Sequence, residues 1–366
     1  MKLIVQPEDG VKPLVNGIDK AKKSVEIAIF RFDRKEVEHA LENAVNRGVF
    51  VHTLVADTNR SGEKSLRKLE LRLLAKGVTV ARTSDDLVRY HGKMMVIDRK
   101  ELYVLAFNFT HLDIDHSRSF GIVTRNCQLV QEAIRLFESD TKRQPYAARC
   151  GAFLVSPVNA REQLSAFIKG AKQELLIYDS KISDRAMIRQ LEERAKQGVR
   201  IRIVGRMASR NSNLDVRKLP QVRLHTRTIV RDRHQMFLGS QSLRELELDA
   251  RREIGIIIRD SKVVNSVVRI FEEDWGATTV SKRESAREQV ATPVSQTATQ
   301  AAEAVAKELP PVAPVLKEVI QHLLGNTVAV ELDHKAVEAT VKQAVKEAVR
   351  EVVEEVVEQK PPGKAD

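Results

Sequence analysis

The segment from Leu154 to Val204 echoes the segment from Ile4 to Leu54 at a constant offset of 150, and this duplication limits the chain to folds that can be built twice. Pro7 aligns with Pro157, Ile18 with Ile168, and Ala21-Lys22 with Ala171-Lys172. Ile27 then falls on Ile177, Leu41 on Leu191, and Gly48-Val49 on Gly198-Val199. Each copy reads as a strand, a helix, a strand (VEIAIF, ELLIYD), a second helix (VEHALENAVNRG, MIRQLEERAKQG) and another strand (VFVHTLVA, VRIRIVG). Gly48 and Gly198 close the second helices, because glycine takes the left-handed C′ position without steric cost. Strands alternating with amphipathic helices predict an α/β unit with a mainly parallel sheet, present twice.

Farther along the offset becomes 134, so the first half carries 16 residues between Asp57 and Tyr90 that the second lacks. They correspond to the helix-like SLRKLELRLLAKG and a following strand. At the new offset His91 matches His225, Asp98 matches Asp232, Gly121 matches Gly255, Phe137 matches Phe271 and Asp140 matches Asp274. The second half ends near Trp275, and from Gly276 the composition shifts to Ala, Thr, Ser, Gln and Pro. The expected organisation is a first half over 1–145, a second over 150–276, a disordered linker over 277–314 and an amphipathic helical tail over 315–366. In the tail Val337, Val341, Val345, Val349, Val352 and Val356 recur at spacings of four and three, an apolar stripe suited to self-association or to docking.

Charge separates these parts. Residues 1–275 hold 50 Lys and Arg against 36 Asp and Glu, whereas residues 276–366 hold 11 against 14. A basic surface on the repeats suits phosphate-rich partners, either nucleic acid or an anionic membrane. No run of 18 uncharged apolar residues and no leader-like h-region is readable, so the sequence reads as cytoplasmic, with at most peripheral membrane contact. Cys127 and Cys150 are too few and too far apart for a disulfide framework or a C-x-x-C site.

The sharpest chemical signal is His91-Gly92-Lys93 followed by Asp98, an H-x-K-x4-D pattern. On a strand His91 and Lys93 share one face, which puts an imidazole and a cation around one small volume. The second half repeats the spacing as His225-Thr226-Arg227 and Asp232. One copy arises by chance in a few per cent of chains, roughly, but two in register within a repeat weigh against an idle strand pair. Asn108 follows the first motif, and Ser240 and Ser242 follow the second, as candidate hydrogen-bonding groups beside the pocket. Glu253 stands 28 residues after His225, but Ser119 holds the matching position after His91. Asp98 and Asp232 read as structural, closing the turn after each strand. The group His111, Asp113, Asp115 and His116 has metal-ligand character, yet alternating polar residues in a surface loop are the commoner case, and no metal is assigned.

On these residues the stretch from Met1 to about Trp275 resembles the phospholipase D superfamily, whose signature is a pair of H-x-K-x4-D motifs, each followed by a G-S-x-N-like element and an acidic residue. The closing FEEDW is similar to the family's usual ending. The resemblance implies two halves facing each other across a pseudo-twofold axis, both histidines at one phosphodiester, and no metal or organic cofactor. It also implies that His91 attacks phosphorus to give a phosphohistidine while His225 protonates the leaving alkoxide, with the reverse assignment open. Lys93 and Arg227 would hold the nonbridging oxygens, Asn108, Ser240 and Ser242 would line the pocket, and Glu253 would orient a histidine.

Three departures bear on activity. Arg227 replaces a lysine, Ser242 replaces an asparagine, and Ser119 replaces a carboxylate, leaving Asp113 or Asp115 as substitutes. The expected activity is that of a phosphodiesterase or phosphatidyltransferase on glycerophospholipids. A nuclease of the same superfamily is the first alternative, favoured by charge but not by an aromatic content of 4%. The second is a phosphate-binding scaffold that does no chemistry.

Overall fold

The computed structural model describes residues 1–56, 63–208, 214–220 and 222–285, with isolated positions beyond. The first half runs β1 (Lys2–Gln6), α1 (Lys12–Asp19), β2 (Ser24–Ile29), α2 (Lys35–Asn46), β3 (Phe50–Val55), α3 (Glu63–Ala75) and β4 (Thr79–Arg82). It continues as β5 (Arg89–Tyr90), β6 (Met94–Ile97), β7 (Glu101–Leu105), α4 (His111–Asp115), β8 (Ser117–Thr124) and α5 (Cys127–Thr141). The second half runs β9 (Phe153–Val155), α6 (Ala160–Lys169), β10 (Glu174–Ile182), α7 (Arg185–Lys196), β11 (Arg200–Met207) and β12 (Asp215–Arg217). It ends with β13 (Arg223–Leu224), β14 (Arg227–Arg231), β15 (Gln235–Gly239), α8 (Glu245–Asp249), β16 (Arg251–Arg252), β17 (Ile254–Ile258) and α9 (Ser261–Ser285).

Helices α2 and α7 start and stop at positions 150 apart, and each is followed by a positive-φ glycine, Gly48 at 80° and Gly198 at 87°. The 16-residue difference is α3 and its approach to β4; in the second half β12 takes the place of β4 beside its sheet. Among the described residues the two main sheets have matching orders, β1-β8-β7-β6-β2-β3-β4 and β9-β17-β15-β14-β10-β11-β12. Only β2-β3-β4 and β10-β11-β12 are parallel runs; the remaining neighbours along both orders are antiparallel. The expectation of mainly parallel sheets is therefore corrected. Helical crossovers end once the histidine motifs begin, and tight hairpins need antiparallel strands.

Those hairpins explain the aspartates. Asp98 and Arg99 both have positive φ, 51° and 55°, and Asp232 and Arg233 have the same pair of values. The Asp98 carboxylate accepts the backbone N–H groups of Lys22, Lys23 and Ser24 at 3.0, 2.7 and 3.0 Å. Asp232 does the same for Lys172, Gln173 and Glu174 at 3.0, 2.7 and 2.9 Å. Each aspartate clasps the start of the neighbouring central strand, away from the histidines. Partial burial would raise the Asp98 pKa, but the three N–H donors and the charge of Lys100 outweigh it and hold the carboxyl below its ordinary value. The stabilisation is therefore complete above the ordinary carboxylate range and is lost as pH falls through the lowered folded value. Asp98→Ala is expected to cost about 2 kcal/mol at neutral pH, seen as a melting temperature lower by a few degrees, and the difference from wild type should shrink as pH falls below the ordinary carboxylate range.

One apolar cluster joins the inner faces of both sheets with α5 and α9, and two further clusters lie under the outer helices of each half. Aromatic rings cross the shared layer in sequence: Phe120 on Tyr178, Tyr178 on Phe271, and Phe271 stacked on Trp275. Buried ion pairs at matching positions tie the halves together. Arg118 meets Asp274 at 3.0 Å and Arg252 meets Asp140 at 3.1 Å.

Helix α9 does not stop at Trp275. It continues to Ser285, with Thr278 buried, so the expected boundary at 276/277 falls inside a helix. The rest of the expected linker and the valine-striped tail lie outside the described residues, apart from isolated positions.

Candidate active site

Both histidine motifs sit where a short strand of one half meets the other half. Strand β5 pairs in parallel with β16, and the N–H groups of His91 and Gly92 donate to the Arg252 carbonyl at 2.7 and 2.9 Å. Strand β13 pairs in parallel with the start of β8, and the N–H groups of His225 and Thr226 donate to the Arg118 carbonyl, both at 3.1 Å. The motifs were expected within strands. Instead each histidine lies in a break between strands, because its backbone donor has left its own sheet for the opposite half.

His91 and His225 are 8% and 7% exposed, and Lys93 is fully buried. Lys93 Nζ donates to the His91 carbonyl at 2.7 Å and lies 3.1 Å from each ring nitrogen of His91. Arg227 keeps the first of these contacts: its Nη1 donates to the His225 carbonyl at 2.8 Å. Its Nε donates to the Ser242 hydroxyl at 3.1 Å, which aims the guanidinium. The charges of Lys93 and Arg227 each act on both imidazoles.

Glu253 reaches across from the second half to His91. Its carboxylate oxygens lie 2.9 and 3.1 Å from His91 Nδ1. With Nδ1–H donating to this acceptor, Nε2 keeps its lone pair. Burial, followed by the charges of Lys93, Arg227 and Arg251, holds the His91 pKa well below its ordinary value, so the ring is neutral near pH 7. Burial likewise keeps His225 low, against the opposing pull of Asp113 and with Arg223, Arg227 and Lys93 adding to the depression. Burial raises Glu253, while the Lys93 and Arg251 charges pull it back. Burial brings Lys93 down to about 7, with Glu253 opposing and Arg227 reinforcing the shift.

The smaller polar residues divide between site and scaffold. Asn108 was expected to line the pocket, but its Oδ1 accepts the Arg31 N–H at 3.2 Å and its Nδ2 donates to Asp113 at 2.7 Å. Ser240 bridges to the next strand, its hydroxyl accepting the Ile254 N–H at 3.1 Å, and its side chain also hydrogen-bonds Glu253, the carboxylate that faces His91. Ser242 touches the site through Arg227. Asp98 and Asp232 remain outside it. The group considered for metal binding diverges: Asp113 turns to Asn108 and Arg223, while Asp115 pairs with Arg34 and His111.

Two residues escaped the sequence reading. Phe30 packs edge-on against His91, with ring centroids 4.9 Å apart. Glu247, 1% exposed, accepts the Ser242 N–H at 2.7 Å, as Asp113 accepts the Asn108 N–H at 2.8 Å. The offset of 134 that pairs His91 with His225 also pairs Asp113 with Glu247, so the signal was present.

A family model described as "Cardiolipin synthase, PLD-like domain" matches residues 14–141 and again 164–275. A polyphosphate kinase from Vibrio vulnificus is 22% identical over 289 residues, covering 71% of this chain and 41% of that protein. A mitochondrial cardiolipin hydrolase from Mus musculus is 24% identical over 131 residues, covering 36% of this chain and 58% of that protein. The chain thus spans about half the length of these curated relatives. The polyphosphate kinase structure from Porphyromonas gingivalis superposes with a TM-score of 0.63 at 20% identity, covering 75% of this chain and 50% of that one, a likeness of fold.

Proposed function

The chain belongs to the phospholipase D superfamily, and from that premise we propose that it is a phosphodiesterase or phosphatidyltransferase acting on glycerophospholipids through a phosphohistidine. The observation that supports this reading best is the crossed pairing at the site. A neutral imidazole is held at Nδ1 by a carboxylate of the opposite half, its unprotonated Nε2 lies 3.1 Å from Lys93 Nζ, and the charge of Arg227 also acts on the ring.

In the proposed reaction His91 Nε2 attacks phosphorus and the bond from phosphorus to the leaving alcohol oxygen breaks. Lys93 and Arg227 offset the charge on the nonbridging oxygens. The bound phosphodiester's negative charge favours a proton on His225, which passes to the leaving alkoxide. Water or an acceptor alcohol then attacks the phosphohistidine, losing its proton to His225. The basic repeats would hold the protein at an anionic membrane surface; no described helix is long and apolar enough to cross one.

The deciding experiment incubates the protein, with EDTA present, separately with phosphatidylglycerol vesicles, phosphatidylcholine vesicles, single-stranded DNA and polyphosphate. The expected product is phosphatidate or an exchanged phospholipid from the vesicles. Cleavage of DNA alone would make it a nuclease, and no product in any arm would favour a binding scaffold.

Lys93 adds a pH signature. Its ammonium is present below about 7 and lost above it, so kcat/KM should fall as pH rises through that value. In Lys93→Arg the alkaline limb should move to higher pH, since guanidinium stays charged. A wild-type profile flat to pH 9 would count against the role of Lys93.

A further inference from the structure

We infer that Asp113 is the positioning carboxylate of His225, doing in the first half what Glu253 does for His91 from the second. The inference rests on the catalytic reading above. The repeat supplies its own control: the counterpart of Glu253 is Ser119, a fully buried hydroxyl whose Oγ makes no hydrogen bond among the described residues. A neutral hydroxyl cannot stabilise an imidazolium as a carboxylate does, so His225 would lack a partner if its carboxylate had to come from that position.

Asp113 approaches from another element of the same half. It is 3% exposed at the first turn of α4, and its Oδ2 lies 3.5 Å from His225 Nδ1, an ion-pair separation just beyond hydrogen-bond geometry. The carboxylate is tightly fixed. Oδ2 accepts both the backbone N–H and the side-chain Nδ2 of Asn108, at 2.8 and 2.7 Å, and Oδ1 accepts Arg223 Nη1 at 2.9 Å. Burial opposes its ionisation, yet His225, Arg223 and the Asn108 donors hold its pKa at about 2, so it is an anion at any working pH. Asp115, the other candidate, is more exposed and spends its charge on Arg34 and His111.

The geometry repeats the crossing seen at His91, since a carboxylate of one half faces the histidine of the other. Asp113 moves no proton and forms no bond to substrate. It sets the ring orientation of His225 and steadies its positive charge when His225 becomes the acid. The charged groups facing His225 are Asp113, Arg223, Arg227 and Lys93, and Asp113 alone among them favours protonation.

The test uses the full chain carrying Asp113→Asn, Asp113→Glu, Asp115→Asn, and Asp113→Asn combined with Ser119→Glu. Two readouts are taken: kcat and KM over pH on the substrate identified above, and the NMR titration of the His225 imidazole, assigned with His225→Gln. Asp113→Asn is expected to lower kcat roughly 10- to 100-fold with KM little changed, and to move the His225 titration to lower pH. Asp113→Glu should retain most of both properties, Ser119→Glu should restore part of what Asp113→Asn loses, and Asp115→Asn should match wild type. An unmoved His225 titration in folded Asp113→Asn, or a shift in Asp115→Asn instead, overturns the assignment. If the wild-type protein turned over no phosphodiester, the catalytic reading would fail while the titration still decided the partner of His225.

Discussion

Replacing His91 with alanine is expected to lower kcat by at least about a hundredfold while leaving the protein folded, because the side chain supplies an attacking nitrogen and little of the core. Its backbone N–H bond to the Arg252 carbonyl survives the change, so the crossing of β5 onto the second half is kept. Glu253 still faces the Lys93 charge, which spares it an isolated burial. What is lost is the edge contact with Phe30, worth about 1 kcal/mol, together with the ring's hydrogen bonds to Glu253 and Lys93. The measurement is single-turnover and steady-state kinetics with circular dichroism and thermal melts as controls. A folded variant that keeps more than roughly a tenth of the wild-type rate would defeat the nucleophile assignment.

Arg227→Ala should reduce kcat/KM by about 3 kcal/mol, roughly a hundredfold, as expected for removal of one transition-state donor. Two nitrogens of the guanidinium are occupied, Nε by Ser242 and Nη1 by the His225 carbonyl, and Nη2 makes no hydrogen bond among the described residues. In the proposed reaction Nη2 takes a nonbridging oxygen. Arg227→Lys is expected to preserve or raise activity: an ammonium there can repeat the bond that Lys93 makes to the His91 carbonyl, giving up only the Ser242 contact. His225→Ala belongs in the same series. Equal kcat/KM for wild type, Arg227→Ala and His225→Ala would mean that the second half contributes structure only, and the composite site would have to be abandoned.

The sequence by itself determined the duplication, the two offsets, the α/β character and the candidate histidines and cations, because each is a local pattern that survives in one dimension. Gly48 and Gly198 end their helices by a conformational preference of single residues, and Asp98 and Asp232 close turns whose positive φ values involve only neighbours. Tertiary structure decided what depends on how two sheets stack through one apolar layer. Spacing counts Glu253 from His225, yet Glu253 serves His91, since the strand breaks at both histidines send their backbone donors to the opposite half. Spacing also left Asp113 and Asp115 equivalent. The first turn of α4 buries one against Asn108 and Arg223 and leaves the other half-exposed, paired with the buried Arg34. Asn108 looked like a pocket donor but spends its amide on Arg31 and Asp113, because a buried amide must find partners wherever the backbone leaves them, while Ser240 reaches the site through Glu253. Side-chain type and register are written along the chain, but which half supplies the partner of each histidine is settled only when burial of the shared core brings the two copies face to face.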